Sequence, residues 1–425
     1  FSLTDSQRRT IWQIYLDLQK EQPMNRLLEG DVGSGKTVVA TMAALMAIAQ
    51  GWQVALMAPT ELLARQHADT VHALLKPLGE EDVVAILVGS LSASQKAKAR
   101  QAIADGKARL IVGTQALIQE QVHMDKLAIV IIDEQHRFGV DQRKALMIKA
   151  GHMPHVLNMT ATPIPRSLAL TLYGELGISV LKEKAKGRRP IETKIVSPNS
   201  VAEVYSSIDI KLEDGQQMFV VCPLIEESSV LEANSAEKTY EDLSKKVFKN
   251  RKVGLLHGRM KSAEKQDIMQ RFVDRKLDIL VSTTVIEVGV DVPNATIMMI
   301  ESAERFGLAQ LHQLRGRVGR DAQQGYCYLM MSDSQSPSRR IRALESSNDG
   351  FKLAELDLDI RGPGAIYGTS QHGQLDLRIA KLSDTVLISE ARAAAQKLLD
   401  DGVDLLKYPE LMQNVNRLRA VTNLN

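Results

Sequence analysis

The sequence predicts an α/β protein of two parallel-sheet units in tandem, followed by a helical tail. Three observations carry this. Near-continuous apolar strands alternate with amphipathic helices, the pattern of parallel sheets covered on both faces. A glycine-rich loop of phosphate-binding type ends the first strand and opens a helix. The alternation stops at a charged stretch bearing Gly and Pro, residues 182–190, and then starts again. At 425 residues the chain is too long for one core. The expected boundaries are 1–183 for the first unit, 184–345 for the second and 346–425 for the tail.

Composition narrows the class. Apolar residues at 44% and charged residues at 24% describe an ordinary globular chain, and the longest apolar run, 38–49, is too short for a bilayer. No signal peptide opens the chain, and its two cysteines lie far apart, which fits a reducing, cytoplasmic setting and excludes a disulfide framework. The net charge of +2 leaves nucleic-acid binding to local basic grooves. Aromatic residues at 4% argue for contacts to phosphates rather than stacking on bases. Phe1 in place of Met suggests a fragment.

The chain is organised around Gly30-Asp31-Val32-Gly33-Ser34-Gly35-Lys36-Thr37, which fits G-x-x-x-x-G-K-[ST]. Glycines 30, 33 and 35 let the backbone turn its N–H groups, Ser34 among them, toward phosphate oxygens. Lys36 adds a point charge at the β/γ-phosphates, and Thr37 offers a hydroxyl to Mg²⁺. A strand at 26–29 and a helix at 38–49 supply the context. Upstream, residues 1–20 read as a helix in which Thr4 and Gln7 form a capping box. Gln7 also stands where an amide could read an adenine edge.

Strands follow at 53–58, 83–88, 108–112, 128–132 and 156–159. Helices follow at 61–75, capped by Thr60, and at 93–104. Asp133-Glu134-Gln135-His136 ends the strand 128–132, the edge where open α/β sheets place ligands. Asp133 suits Mg²⁺ through its water shell, and Glu134 suits polarisation of an attacking water. The long separation of Lys36 from Asp133 leaves room for several strands, as in a RecA-like sheet. Thr160-Ala161-Thr162-Pro163 after the next strand is placed to sense a γ-phosphate.

The second unit reads as strands at 193–196, 218–221, 253–256, 278–281 and 295–300. Its helices read at 201–212, 236–248, 263–272 and 308–314. It has no phosphate loop. It carries Gln313-Leu314-Arg315-Gly316-Arg317-Val318-Gly319-Arg320, whose spaced arginines can reach into a cleft. Arg320 is the better candidate for an arginine finger, and Arg317 for a second γ-phosphate contact. The tail holds a Gly-rich loop at 361–373 and amphipathic helices over 383–419. No internal repeat shows beyond the two α/β units.

Taken together, the phosphate loop, Asp-Glu-x-His, Thr-Ala-Thr and Gln-x-x-Gly-Arg-x-Gly-Arg resemble a superfamily 2 helicase core, that is, two tandem RecA-like domains. The wording is closest to the helicase part of the RecG family of bacterial branched-DNA translocases. Asp-Glu-Gln-His-Arg-Phe-Gly-Val (133–140), Thr-Ala-Thr-Pro-Ile-Pro-Arg (160–166), His-Gly-Arg-Met (257–260) and 282–294 carry the resemblance, as does 307–320. It runs from about Phe1 to Gly373. Asp359-Ile360-Arg361-Gly362-Pro363-Gly364 separates the chain from the related Mfd transcription-repair translocases, although Ala365-Ile366-Tyr367 departs from the family pattern.

The resemblance implies an ATP-dependent DNA helicase that drives branch migration and fork reversal in recombination and repair. ATP and Mg²⁺ would bind between the two units. Gly289 and Asp291 would touch the nucleotide and the opposite unit, and Gln313 would join the nucleotide site. Phosphate contacts with DNA are expected at Thr60, Arg65, Thr114, Gln115, Arg259 and Thr283. Arg340, Arg361 and Gln371 fall at the matching positions of the family's translocation motif. Implied partners are forks and Holliday junctions, with single-stranded-DNA-binding protein among the proteins; the implied state is a monomer. The fork-splitting wedge domain of the family has no counterpart in this sequence, so a motor without a fork reader is expected. The alternatives are an Mfd-like double-stranded DNA translocase and an ATP-gated DNA-binding scaffold that does not move.

Overall fold

The computed structural model describes residues 2–162, 176–183, 189–223, 229–283, 292–319, 323–333, 336–361 and 385–422. The chain divides into two compact units. One, residues 1–163 and 177–350, holds both sheets; the other holds the C-terminal residues from 351.

In the first sheet the strands are β1 (Asn25–Gly30), β2 (Gln53–Met57), β3 (Val84–Leu87), β4 (Leu110–Gly113), β5 (Leu127–Asp133), β6 (His155–Thr160) and β7 (Gly177–Leu181). All pair in parallel, in the order β3-β4-β2-β5-β6-β1-β7. Helices α1 (Asp5–Leu18), α2 (Lys36–Ala49), α3 (Glu61–Leu75), α4 (Ala93–Ala104) and α5 (Val140–Ile148) join them. Strand β2 shows why its apolar run is unbroken. Val54 and Leu56 pack into one core with Leu28, Val39 and Leu75; Ala55 and Met57 pack into another with Ile103, Leu127 and Leu146. Both faces are dry, so no polar alternation survives.

The second sheet is β8 (Glu192–Val196), β9 (Gln217–Val221), β10 (Val253–Leu256), β11 (Ile279–Ser282), β12 (Ala295–Ile300) and β13 (Tyr326–Met330). It too is wholly parallel, in the order β10-β11-β9-β12-β13-β8. Its core gathers Val204, Ile208, Met218, Val220, Val281 and Met299.

Two strands were not expected from the sequence, β7 and β13, nor were α5 and the helix Arg339–Ser346. Strand β7 is short and carries a polar residue inward. Ser179 is buried there, accepting from Arg26 Nη1 at 2.7 Å and donating to Gln13 Oε1 at 2.8 Å. The helix expected at 236–248 begins earlier, at Ser229, and ends at Asp242 in a wider turn over Leu243–Val247. The expected linker lies mostly outside the described residues.

One connection is built twice. After β5, Glu134 takes the left-handed conformation (φ 48°), a three-residue 3₁₀ turn follows, Phe138 is buried, and the Gly139 N–H donates to Gln142 Oε1 at 3.3 Å. After β12, Ser302 takes φ 48°, a three-residue 3₁₀ turn follows, Phe306 is buried, and the Gly307 N–H donates to Gln310 Oε1 at 3.2 Å. Arg-Phe-Gly-x-x-Gln, at 137–142 and 305–310, spells both. Likewise Gln53 at the start of β2 donates to the carbonyls of Ile103 and Ala108, and Gln217 at the start of β9 donates to those of Phe272 and Leu277. The frames match, but Ser302 stands where the first sheet has Glu134, so the second sheet lacks that acid.

Candidate active site

Register aligns the chemistry. Glu29 pairs with Thr160 across β1 and β6, and Asp133 pairs with Met159 across β5 and β6. The phosphate loop, the acid pair and the hydroxyl turn therefore leave the sheet at one carboxyl edge.

The loop hands the chain from β1 to α2, whose N-cap Gly35 takes φ 83°, a conformation closed to most side chains. A Cβ at Gly35 would collide with the Gln7 amide, and one at Gly30 with the Ser34 hydroxyl. Lys36 Nζ is folded back into the loop, donating to the carbonyls of Gly30 at 2.7 Å and Asp31 at 3.1 Å. Burial pushes the Lys36 amine down, partly offset by the carboxylates of Asp133, Glu134 and Asp31; the charge of Arg317 adds to the lowering. Arg317 of the second sheet thus acts on the same amine as the acids of the first.

Gln7 has two partners. The capping box forms, with the Thr4 N–H donating to Gln7 Oε1 at 2.9 Å and the Gln7 N–H to Thr4 Oγ1 at 3.3 Å. Its amide Nε2 donates to the Ser34 carbonyl at 2.9 Å, so it braces the phosphate loop.

Asp133 and Thr37 meet on one imidazole. His67, on α3, has Nε2 2.8 Å from Asp133 Oδ2 and Nδ1 3.4 Å from Thr37 Oγ1. Burial would raise the Asp133 carboxyl, but the hydrogen bond and charge of His67, the charge of Lys36 and the Glu134 N–H hold it below the usual range. A hydroxyl and an ionised carboxylate are hard oxygen donors of the kind Mg²⁺ takes alongside phosphate and water. The donor set fits the metal that the motifs imply. Among the described residues no group of three or more His, Cys, Asp or Glu side chains forms a metal-binding cluster. The Glu134 carboxylate accepts from the Ala161 N–H at 3.5 Å, and the Thr162 N–H donates to Thr160 Oγ1 at 3.1 Å.

The second sheet reaches this edge. Gln313 Nε2 donates to Thr162 Oγ1, and a Cβ at Gly316 would touch Val32. His312 Nε2 lies 2.9 Å from Asp31 Oδ1. Sequence reasoning missed His312, Arg315 and His67. His67 and His312 take their roles from Asp133 and Asp31, far away in the chain, and Arg315 from the carbonyls of Leu344 and Ser347 as well as from His312 three residues before it.

The remaining candidates fall elsewhere. Thr60 caps α3, Thr114 and Gln115 open a 3₁₀ turn after β4, and Arg259 is exposed in the loop after β10. Arg65 is exposed and donates to Ser90 Oγ at 3.2 Å. Thr283 is buried, 2% exposed, its carbonyl accepting from the Ser282 hydroxyl. Arg340 lies in the first turn of Arg339–Ser346. Arg361 ends the helix Gly350–Arg361, and nothing is described of its side chain. Gly289, Asp291, Arg320 and Gln371 lie outside the described residues. Cys222 and Cys327 are buried, and no helix among the described residues is long and apolar enough to cross a membrane.

Three family descriptions match along the chain. They are DEAD/DEAH box helicase over 4–171, helicase conserved C-terminal domain over 200–322, and ATP-dependent DNA helicase RecG, domain 3, C-terminal, over 347–425. The chain is 48% identical to the ATP-dependent DNA helicase RecG of Synechocystis over 97% of its own length and 49% of the relative's. It is 50% identical to that of Escherichia coli K12, over 96% of its length and 59% of the relative's. It therefore spans roughly half to three-fifths of these curated relatives. A solved structure of RecG bound to a three-way DNA junction superimposes with TM-score 0.73 at 46% identity, covering 86% of this chain and 48% of that one. The helicase MrfA bound to DNA, at 17% identity and TM-score 0.57 over 92% of this chain and 60% of its own, shares the fold.

Proposed function

We propose that this chain, which belongs to the RecG family and corresponds to its helicase portion, is the ATP-driven motor of a branched-DNA translocase. The observation that carries the reading is one shared edge. There Lys36, Thr37, Asp133, Glu134 and Thr162 of the first sheet meet His312, Gln313 and Arg317 of the second. A phosphate arriving at the loop would draw Lys36 Nζ away from the Gly30 and Asp31 carbonyls, replacing two neutral acceptors by an anion. Glu134 Oε2, at the turn beside Ala161, would accept the proton of an attacking water. Mg²⁺, held through Thr37 and Asp133, would supply charge neutralisation at the β- and γ-phosphate oxygens. Arg317 would stabilise charge developing on the transferred group, from the sheet without a phosphate loop. Arg320 is proposed as the arginine finger of the same cleft, and Gly289 with Asp291 as contacts to the nucleotide, on motif wording alone.

Loss of the γ-phosphate removes a charge that both sheets grip, so their separation would change once per turnover. DNA held at Thr60, Arg65, Gln115 and Arg259 would then advance, and Arg340, Arg361 and Gln371 would couple the motion. We place the protein in the bacterial cytoplasm, acting as a monomer on forks and Holliday junctions, with single-stranded-DNA-binding protein as a partner.

The test is steady-state ATP hydrolysis with and without a synthetic three-way junction, in Mg²⁺ buffer. Junction-stimulated turnover is expected. ATP-dependent DNA binding without turnover would instead favour a non-translocating scaffold.

A further inference from the structure

We propose that His312 is a positioning residue for ATP hydrolysis, completing the phosphate loop from the second sheet through Asp31. The inference rests on the ATP-motor reading and adds to it a residue outside the acid pair and the arginines.

Asp31 is the hub of the loop. Its carbonyl accepts from Lys36 Nζ and from the Ser34 N–H, and its carboxylate accepts from the Val32 N–H at 2.8 Å and faces His312 at 2.9 Å. His312 and Asp31 are both buried, though 281 residues apart in the chain. The state of the imidazole follows from its other neighbour. Arg315 Nη2 lies 2.9 Å from His312 Nδ1. A guanidinium only donates, so Nδ1 must accept and the ring proton sits on Nε2, aimed at Asp31. The hydrogen bonds run one way, from Arg315 to His312 to Asp31.

Arg315 is itself anchored. It is 1% exposed, the largest fully buried side chain among the described residues, and its Nη1 donates to the carbonyls of Leu344 at 2.6 Å and Ser347 at 2.8 Å. Those carbonyls lie at the C-terminal end of the helix Arg339–Ser346, where backbone acceptors lack intrahelical donors. The end of that helix fixes Arg315, Arg315 fixes the tautomer and ring plane of His312, and His312 fixes the residue whose carbonyl holds Lys36. In a dry setting such a directed chain holds geometry more tightly than its members would alone.

The experiment compares wild type, His312→Gln, His312→Leu, Asp31→Ala and the double variant His312→Leu/Asp31→Ala. Junction-stimulated kcat and KM are measured, with thermal melts on each preparation. Gln offers an N–H at similar reach; Leu offers similar volume and no donor. His312→Leu is expected to lose about tenfold to a hundredfold in kcat/KM, the range that one buried hydrogen bond to a charged group spans. His312→Gln is expected to recover most of the rate, and the double variant to fall no further than the worse single one. Should His312→Leu not fold, His312→Gln and Asp31→Ala carry the comparison, with Asp31→Ala the impaired one of the two. A His312→Leu enzyme at wild-type rate, a Gln variant as impaired as Leu, or losses that multiply in the double variant would each overturn the proposal. Wild type without ATP turnover would overturn the motor reading instead.

Discussion

His67 holds Asp133 by a 2.8 Å hydrogen bond from Nε2 to Oδ2, and its other ring nitrogen faces the Thr37 hydroxyl. One helix of the first sheet thus sets both groups suited to the metal. A ligand fixed by a second residue binds its ion with less reorganisation. His67→Ala is expected to raise the Mg²⁺ concentration at half-maximal nucleotide binding by about 10- to 100-fold. A fluorescent nucleotide titrated at increasing Mg²⁺ reads this directly. An unchanged Mg²⁺ midpoint would leave His67 a packing residue of α3.

Lys36 and Glu134 should fail in different ways. Lys36→Ala removes the loop's cation and is expected to abolish both nucleotide binding and turnover. Glu134→Gln keeps the side chain's shape and its contact with the Ala161 N–H, and loses the carboxylate proposed as the base. It is expected to bind nucleotide normally and stall. Turnover by Glu134→Gln at the wild-type rate would remove Glu134 from the water-polarising role.

Arg317 is buried at the shared edge, and its charge acts on Lys36. If it stabilises the transferring phosphoryl group, Arg317→Ala should lower kcat by about a thousandfold or more, with a much smaller change in nucleotide affinity. Relief of the repulsion between Arg317 and Lys36 would even favour the free enzyme slightly. Single-turnover hydrolysis separates these effects. A loss confined to affinity would make Arg317 a ground-state contact.

Glu29 gives the fold a pH dependence. It is buried at the end of β1, its Oε1 has no hydrogen-bond partner among the described residues, and burial pushes its carboxyl up to about 8 from 4.5. The folded protein therefore binds this proton more tightly than the unfolded chain. Its stabilising contribution is complete below the unfolded value and is lost as pH rises toward 8, by about 1.4 kcal/mol per pH unit within that window. Glu29→Gln is neutral throughout, so its advantage over wild type should grow from pH 5 toward pH 8 and then level off. Urea midpoints of both proteins across this range test it, and parallel curves would show that Glu29 is solvated or paired.

Much of the first sheet was legible because its signals are local. A phosphate loop needs glycines at fixed spacing, a buried parallel strand needs an unbroken apolar run, and Thr60 or Thr4 caps the helix beside it. Strand β7 escaped because Ser179 breaks the apolar run, and only Arg26 and Gln13, distant in the chain, make that hydroxyl tolerable inside. The second copy of Arg-Phe-Gly-x-x-Gln was present in the letters. Its meaning needed the matching φ of Glu134 and Ser302, which no spacing reveals.

The sequence by itself determined the two parallel sheets, a loop of phosphate-binding type, an acid pair at the carboxyl end of a strand and the resemblance to a helicase core. Each is written in neighbouring residues, because backbone geometry and short-range chemistry dictate them. Only the tertiary structure decided that His67 would stand between Thr37 and Asp133, and that His312 would meet Asp31. It also decided that Arg315, unlike Arg317, would be spent on the carbonyls of Leu344 and Ser347. These choices pair residues far apart in the chain. A buried donor must find an acceptor wherever packing supplies one, and packing is settled by the whole fold at once.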